Sequence, residues 1–286
     1  MEPQRYGPFQ YVPINRRPTL TWPNGARVAL WVIPNLETFP LHEPVPGGTG
    51  KAPDIINWAP RDYGNRVGVF RLMEVMARHG VRGTAALNSE VCDDYPQIIE
   101  DALTLGWEFM GHNQSNARYL HLMSPEEEHR VVLSTFARIE TATGVRPKGW
   151  LSSGLQESWH TLDYLVEAGA TYVADWINDD QPYLMHVGGK RLCSIPYSGE
   201  INDLPQILRA GRSSEEFERM ICRQFDTLYR EGAHAEILLE SRNGFLVTFK
   251  TAVCFMHQHQ GVGARTTEFI PQAGAVGFNP GHRESP

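Results

Sequence analysis

The chain is poor in the signatures by which many enzymes can be recognised. Its 286 residues hold four cysteines, Cys92, Cys193, Cys222 and Cys254, far apart and with no C-x-x-C pair. That spacing excludes a zinc ribbon and a dense disulfide framework, and it reads as reduced thiols in a cytoplasmic protein. There is no G-x-S-x-G, no H-E-x-x-H and no glycine-rich phosphate fingerprint, and Ser152-Ser153 has no base near it in sequence. No run of about 20 apolar residues occurs, so no membrane span is expected. The first 20 residues lack an apolar core and a small-residue cleavage site, which argues against a signal peptide. No Lys/Arg run stands out and the formal net charge is −7, so a nucleic-acid partner is not expected.

What remains is an alternation. Residues 1–26, rich in Pro, Arg and Tyr, read as an extended arm over a surface. A turn at Asn24-Gly25 leads to a strand over 27–34, and proline and glycine then make 36–60 a long loop, the kind that usually serves function. Helices are expected over 65–79, 96–105, 124–143, 158–168 and 213–230. Strands are expected over 83–87, 107–110, 149–152, 171–175 and 191–197. The 124–143 helix opens on a capping box, Ser124-Pro125-Glu126-Glu127. Alternating strands and helices imply parallel pairing in an α/β fold, and their number favours a (β/α) barrel over a dinucleotide-binding sheet. The barrel is placed at 27–232. The tail, 233–286, offers one or two strands and then an ending that looks unstructured and atypical, with no closing helix.

In such barrels the chemistry sits where strands end. The rule selects Asn88 and Glu90, Ser152 and Ser153, Asp175 and Trp176, and Tyr197, together with Glu37 and Asn35, which are two residues apart and so on one face if the chain stays extended. It also selects His112, which follows Gly111, a residue that lets backbone or ligand approach closely. Four residues on, Asn116 stands where a second metal-binding histidine would share a helical face. Asp175, Asp179 and Asp180 form an acidic cluster, Arg61 and Arg66 flank a helix start, and His257 and His259 form an H-x-H pair in a segment with no clear place.

Taken in order, Trp22 to Glu37, Arg61 to Ser89, GWEFMGHNQSN, MSPEEE, GVRPKGWLSSG, YVADWINDDQPY and IPYSGEINDLP resemble the polysaccharide deacetylase (NodB-homology) superfamily. Within it they look like the branch of cofactor-independent allantoinase and cyclic imide hydrolases. The resemblance covers residues 20–232 and implies a distorted barrel of about seven parallel strands. Metal-dependent members carry an Asp-Asp motif and an H-x-x-x-H motif; Asn35, Glu37, His112 and Asn116 fall at those positions here. An amide cannot accept a proton as a carboxylate does, and it is a weak zinc ligand beside imidazole. Glu37 and His112 alone give two ligands where a catalytic zinc has three. The expectation is therefore a cofactor-free hydrolase of a non-peptide C–N bond in a small cyclic amide, imide or ureide. Glu37 would be the base and His112 the carbonyl polariser or proton carrier. Asn35 would bind substrate, Arg61 or Arg66 would stabilise the oxyanion, and Trp150, Trp176, Tyr197, Asn116 and Asp180 would line the pocket. The alternatives are a zinc-dependent N-deacetylase of an N-acetyl sugar, with Glu37 and His112 on the metal, and an impaired ligand-binding homologue. The family's late His-Pro is missing after Gly232, which puts activity in question. A homo-oligomer is expected, as in the related enzymes.

Overall fold

A computed structural model describes residues 1–18, 20 and 22–231, together with the backbone of the strand 234–240. One eight-stranded sheet runs in the order β6-β7-β5-β4-β3-β2-β1-β8. Its strands are β1 (Ala29–Leu36), β2 (Thr84–Leu87), β3 (Glu108–Gly111), β4 (Gly149–Trp150), β5 (Tyr172–Val173), β6 (Tyr183–Val187), β7 (Lys190–Ser194) and β8 (His234–Glu240). Seven of them pair in parallel, as expected, and only β6 is antiparallel to its neighbour, β7. β6 and β8 end the order and are not paired to each other among the described residues. The sheet takes in β8, past the limit of 232 read from the sequence.

The helices are α1 (Ile55–Tyr63), α2 (Val69–Arg78), α3 (Val91–Asp94), α4 (Pro96–Thr104), α5 (Pro125–Thr143), α6 (Thr161–Ala168) and α7 (Ser214–Glu231). α5 starts as its capping box requires: Ser124 Oγ accepts from Glu127 N at 3.2 Å, and Gly144, with φ at +75°, ends it. Two differences from the sequence reading matter. The expected loop over 36–60 gives way at Ile55 to α1, which a π turn over Gly64–Gly68 joins to α2. The hairpin β6–β7 was not foreseen, although Gly188-Gly189, both at positive φ, are the residues its two-residue turn demands.

Side chains alternate across each strand, so the sheet has two faces with separate cores. The outer face packs Val32, Leu36, Leu87 and Trp107 against α2, α4 and α7, and Trp150, Val173 and Leu192 against α5 and α6. The inner face carries Trp31, Ile33, Ala86, Met110, Leu151, Ala174 and Ile195. The N-terminal arm lies on the sheet's far edge. There His186 N donates to Pro8 O at 2.8 Å, Phe9 packs edge-on to Trp176 and Tyr183, and Arg17 grips Asp179 with two bonds of 2.6 and 2.5 Å.

Candidate active site

The inner apolar residues form a floor, and strand alternation places a polar layer one step further along. β1 runs Trp31, Ile33, Asn35 and then Glu37 at every second position; past Ala86 comes Asn88, past Met110 comes His112, and past Leu151 comes Ser153. All five of these polar residues are buried. They stand at the carboxyl ends of four adjacent parallel strands, where the loops begin.

His112 is held from both sides. Its Nδ1 lies 2.5 Å from the Leu151 carbonyl, which can only accept, so Nδ1 carries a proton. Its Nε2 then faces Glu37 Oε1 at 3.4 Å. Around Glu37 a narrow pocket is lined by Phe39, Trp58, Arg61, Asp62, Asn65 and Tyr95. The π turn brings buried Asn65 here, and its Nδ2 donates to the Glu37 carbonyl at 2.8 Å. Asp62 accepts from Tyr95 Oη at 3.3 Å; burial, with the Asp62 charge next, pushes the Tyr95 phenol up. A wider open groove along α5, lined by Gln114, Arg118, Glu127, Arg130 and Ser134, holds neither Glu37 nor His112 and offers no such constellation.

Behind His112 a hydrogen-bonded net closes the layer. Thr38 N donates to Asn88 Oδ1 at 2.9 Å, and Asn88 Nδ2 donates to the His112 carbonyl and, at 3.2 Å, to Asn116 Oδ1. Ser153 Oγ donates to the same Asn116 Oδ1, and Asn116 N donates to the Thr38 carbonyl at 3.1 Å. Asn113 takes the left-handed conformation, φ +56°, which asparagine tolerates better than most residues. Its carbonyl receives Ser89 N at 3.0 Å, tying the loop to the end of β2.

On the other flank, Asp175 Oδ1 accepts from Ser152 N at 2.6 Å, and the Glu157 carboxyl lies against Asp175 while accepting from Trp176 Nε1 at 3.1 Å. Burial, and then the neighbouring Asp175 charge, raise Glu157 well above the usual carboxylate range. Burial also raises Asp175, against its hydrogen bonds from Glu157 and Ser152 and the nearby His112. Asp175 Oδ2 has no N–H donor among the described residues, and a proton carried by Glu157 is the group that can satisfy it.

The candidates from the sequence divide. Glu37, Asn35, His112, Asn116 and Arg61 come together; the Arg61 guanidinium lies 4.8 Å over the Phe39 ring at the pocket wall. Tyr197 belongs to the inner face and its hydroxyl receives Asn202 Nδ2. Trp150 does not wall the pocket. Alternation turns it to the outer face, where it stacks on Phe136 at 5.7 Å and donates to Ser152 Oγ. Gly111 accordingly makes room for Trp150 rather than for a ligand, since a Cβ there would sit 2.5 Å from the indole. Arg66 is exposed and bonds Asp62 Oδ2 at 2.6 Å, a layer away from Glu37. Asp180 is exposed on the loop whose Asp179 is taken by Arg17, so the acidic cluster does not converge; only Asp175 enters the polar layer. Trp176 packs beneath the arm. Asn65, Asp62, Tyr95 and Glu157 were not among the expected site residues, whereas Asn88 and Ser153 were selected as strand-end positions without a role. Alternation beyond Ala86 and Leu151 was a signal for Asn88 and Ser153. His257 and His259 lie outside the described residues.

The zinc that the resemblance implies for metal-dependent members can be tested against this donor set. Glu37 and His112 are two ligands. Asn116 Oδ1 is already committed to two donors, and among the described residues no three His, Cys, Asp or Glu side chains gather. The set does not fit a catalytic zinc site of three protein ligands.

The architecture is that of the polysaccharide deacetylases. A probable polysaccharide deacetylase from Pseudomonas aeruginosa PAO1 superposes with a TM-score of 0.77 at 24% identity, over 86% of this chain and 90% of that one. Puue allantoinase superposes with a TM-score of 0.75 at 22% identity, over 84% of this chain and 87% of that one. In sequence, a Schizosaccharomyces pombe protein provisionally named a polysaccharide deacetylase is 25% identical over 187 residues, which are 60% of this chain. The chain spans 58% of that relative's length. No family model matches the chain.

Proposed function

We propose that the protein hydrolyses a non-peptide C–N bond in a small cyclic amide, imide or ureide, by acid–base chemistry without a metal cofactor. The observation that carries this reading is the buried Glu37–His112 contact, with the far side of the imidazole locked on the Leu151 carbonyl. Glu37 takes a proton from water as the water oxygen bonds to the carbonyl carbon. His112, protonated on both nitrogens at that point, gives its Nε2 proton to the departing nitrogen as the C–N bond breaks. Asn35 and Arg61 contact the substrate from the same layer. The likeness to an allantoinase structure supports the class and leaves the substrate open.

The test is turnover of allantoin, hydantoin, succinimide and N-acetylglucosamine oligomers by protein purified without added metal. Hydrolysis of a cyclic amide by protein that carries no stoichiometric zinc is the expected result. Glu37→Gln should abolish it with the fold intact; a fully active variant would overturn the scheme. The names of the deacetylase relatives favour a second reading, metal-dependent N-deacetylation of an N-acetyl sugar. Zinc near one per chain with activity on the oligomers would establish it. Silence on every substrate, with a ligand-induced thermal shift, would favour a binding protein. A cytoplasmic homo-oligomer is part of the proposal. Tyr6, Tyr11 and Ile14 stand exposed on the arm and suit a contact between copies, and a monomer in light scattering would contradict it.

A further inference from the structure

Asn65 reaches the pocket around Glu37 from the π turn, and its amide has a fixed sense. Nδ2 lies 2.8 Å from the Glu37 carbonyl, which can only accept, so the nitrogen stands at that end and Oδ1 at the other. A flip would set oxygen against oxygen. Asn65 is 4% exposed, and its Oδ1 is buried with no hydrogen-bond donor among the described residues. The donors that line the same pocket are engaged elsewhere. Trp58 Nε1 donates to the Phe39 carbonyl at 2.6 Å, Tyr95 Oη gives its one proton to Asp62 Oδ1 at 3.3 Å, and Arg61 Nη1 donates to the Asn57 carbonyl. The space among these side chains is too tight for a water molecule.

A buried acceptor that neither the protein nor water serves is costly in a folded protein, and a ligand that brings a donor removes the cost. This acceptor adjoins the base of the proposed reaction, in a pocket whose apolar walls are the Phe39 and Trp58 rings. A neutral carboxamide oxygen takes an N–H or O–H and repels a carbonyl oxygen. We infer that Asn65 Oδ1 accepts the ring N–H beside the carbonyl that is attacked, which makes an unsubstituted ring nitrogen the specificity requirement of the site. The inference rests on the hydrolase reading above and deepens it, by narrowing the substrate class to cyclic amides, imides and ureides with a free N–H. Ligand entry moves one wall. α1 carries Trp58 and Arg61 and buries none of its residues, so it can be displaced without opening the core.

The test compares a hydrolysed ring with its N-methyl analogue, succinimide with N-methylsuccinimide first. Wild-type kcat/KM should fall by roughly 10²-fold or more on methylation, since a site built to bond an N–H rejects an analogue that lacks it. In Asn65→Ala the ratio should narrow to within about tenfold. A merely structural role for Asn65 would lower both rates and leave the ratio as it was, and that result overturns the inference. Calorimetry on the wild type needs neither turnover nor a variant that folds. Butyrolactone replaces the N–H of pyrrolidinone by oxygen without added bulk, and should bind at least about tenfold more weakly. Lactone binding within about threefold of the lactam, or hydrolysis of the methylated imide within about threefold of the free one, overturns the inference and leaves the hydrolase reading standing. Preferential binding of the N–H rings with no ring hydrolysed overturns the hydrolase reading and keeps Asn65 as the acceptor of a binding site. Neither binding nor hydrolysis of any ring overturns both.

Discussion

Glu157 and Asp175 show how far a single proton can shape this site. Both carboxyls are raised by burial, and Glu157 further by its neighbour, so the folded state holds a proton that the unfolded chain releases near pH 4. The sign follows: this pair favours the fold most below the ordinary carboxylate range, and the advantage is lost as pH rises toward the raised folded values. Glu157→Gln keeps the hydrogen-bonding shape without the charge. It should flatten the decline of melting temperature between pH 5 and pH 8 (about the span from free-acid to fully ionised carboxylates), measured by calorimetry against wild type. An unchanged slope would mean that the pair does not carry the proton. That Glu37, Asn35 and His112 gather in one buried polar layer was legible from strand ends and spacing. Asn116 was picked out for its spacing, but its orientation was not legible, because it depends on Asn88 and Ser153, 28 and 37 residues away in sequence.

Strand parity decides which residues reach the chemistry. β4 is two residues long, and its Trp150 and the following Leu151 face opposite ways, so naming an aromatic near a strand end does not place it in the pocket. The price of ignoring parity was Trp150, assigned to the wrong face. The same element explains Gly111, whose missing side chain leaves space for the indole. Gly111→Ala should cost about 1–3 kcal/mol by overpacking and should lower turnover by displacing His112. Trp150→Ala alone should cost about 3–5 kcal/mol and leave KM close to normal, checked by urea unfolding and kinetics. Wild-type stability for Gly111→Ala would show that the strands can slide apart at no cost. The alternation of helices and strands was readable because each has its own period. α1 was not, since Pro60 and a π turn interrupt its pattern.

Among the described residues the molecule is a mostly parallel sheet whose β6 edge is partly covered. β6 turns back on β7, and the arm covers part of β6, so a strand that could recruit another chain is partly covered by its own N-terminal segment. The half-buried Arg17–Asp179 pair fastens that cover. Arg17→Ala should speed proteolytic removal of the arm and lower the melting temperature by roughly 2–4 °C, as a loss near 1 kcal/mol would in a chain of this size. Association of the variant through the bared edge would appear in light scattering as species larger than wild type. Seven parallel strands could be anticipated from the repeat of elements. The antiparallel edge could not be anticipated from that repeat, because a hairpin strand adds no helix to it.

The π turn between α1 and α2 acts as a phase spacer. It adds one residue to the winding, and that residue sets the angular relation between the helix that walls the pocket and the helix that fills the core. Removing any one of residues 64–68 would rotate α2 by about 100° relative to α1. Either Asn65 would leave the Glu37 carbonyl, or Val69, Leu72, Met73 and Met76 would turn out of the core together. Changes of this segment's length are thus closed to the protein, and the pocket and the core are bound to vary in step.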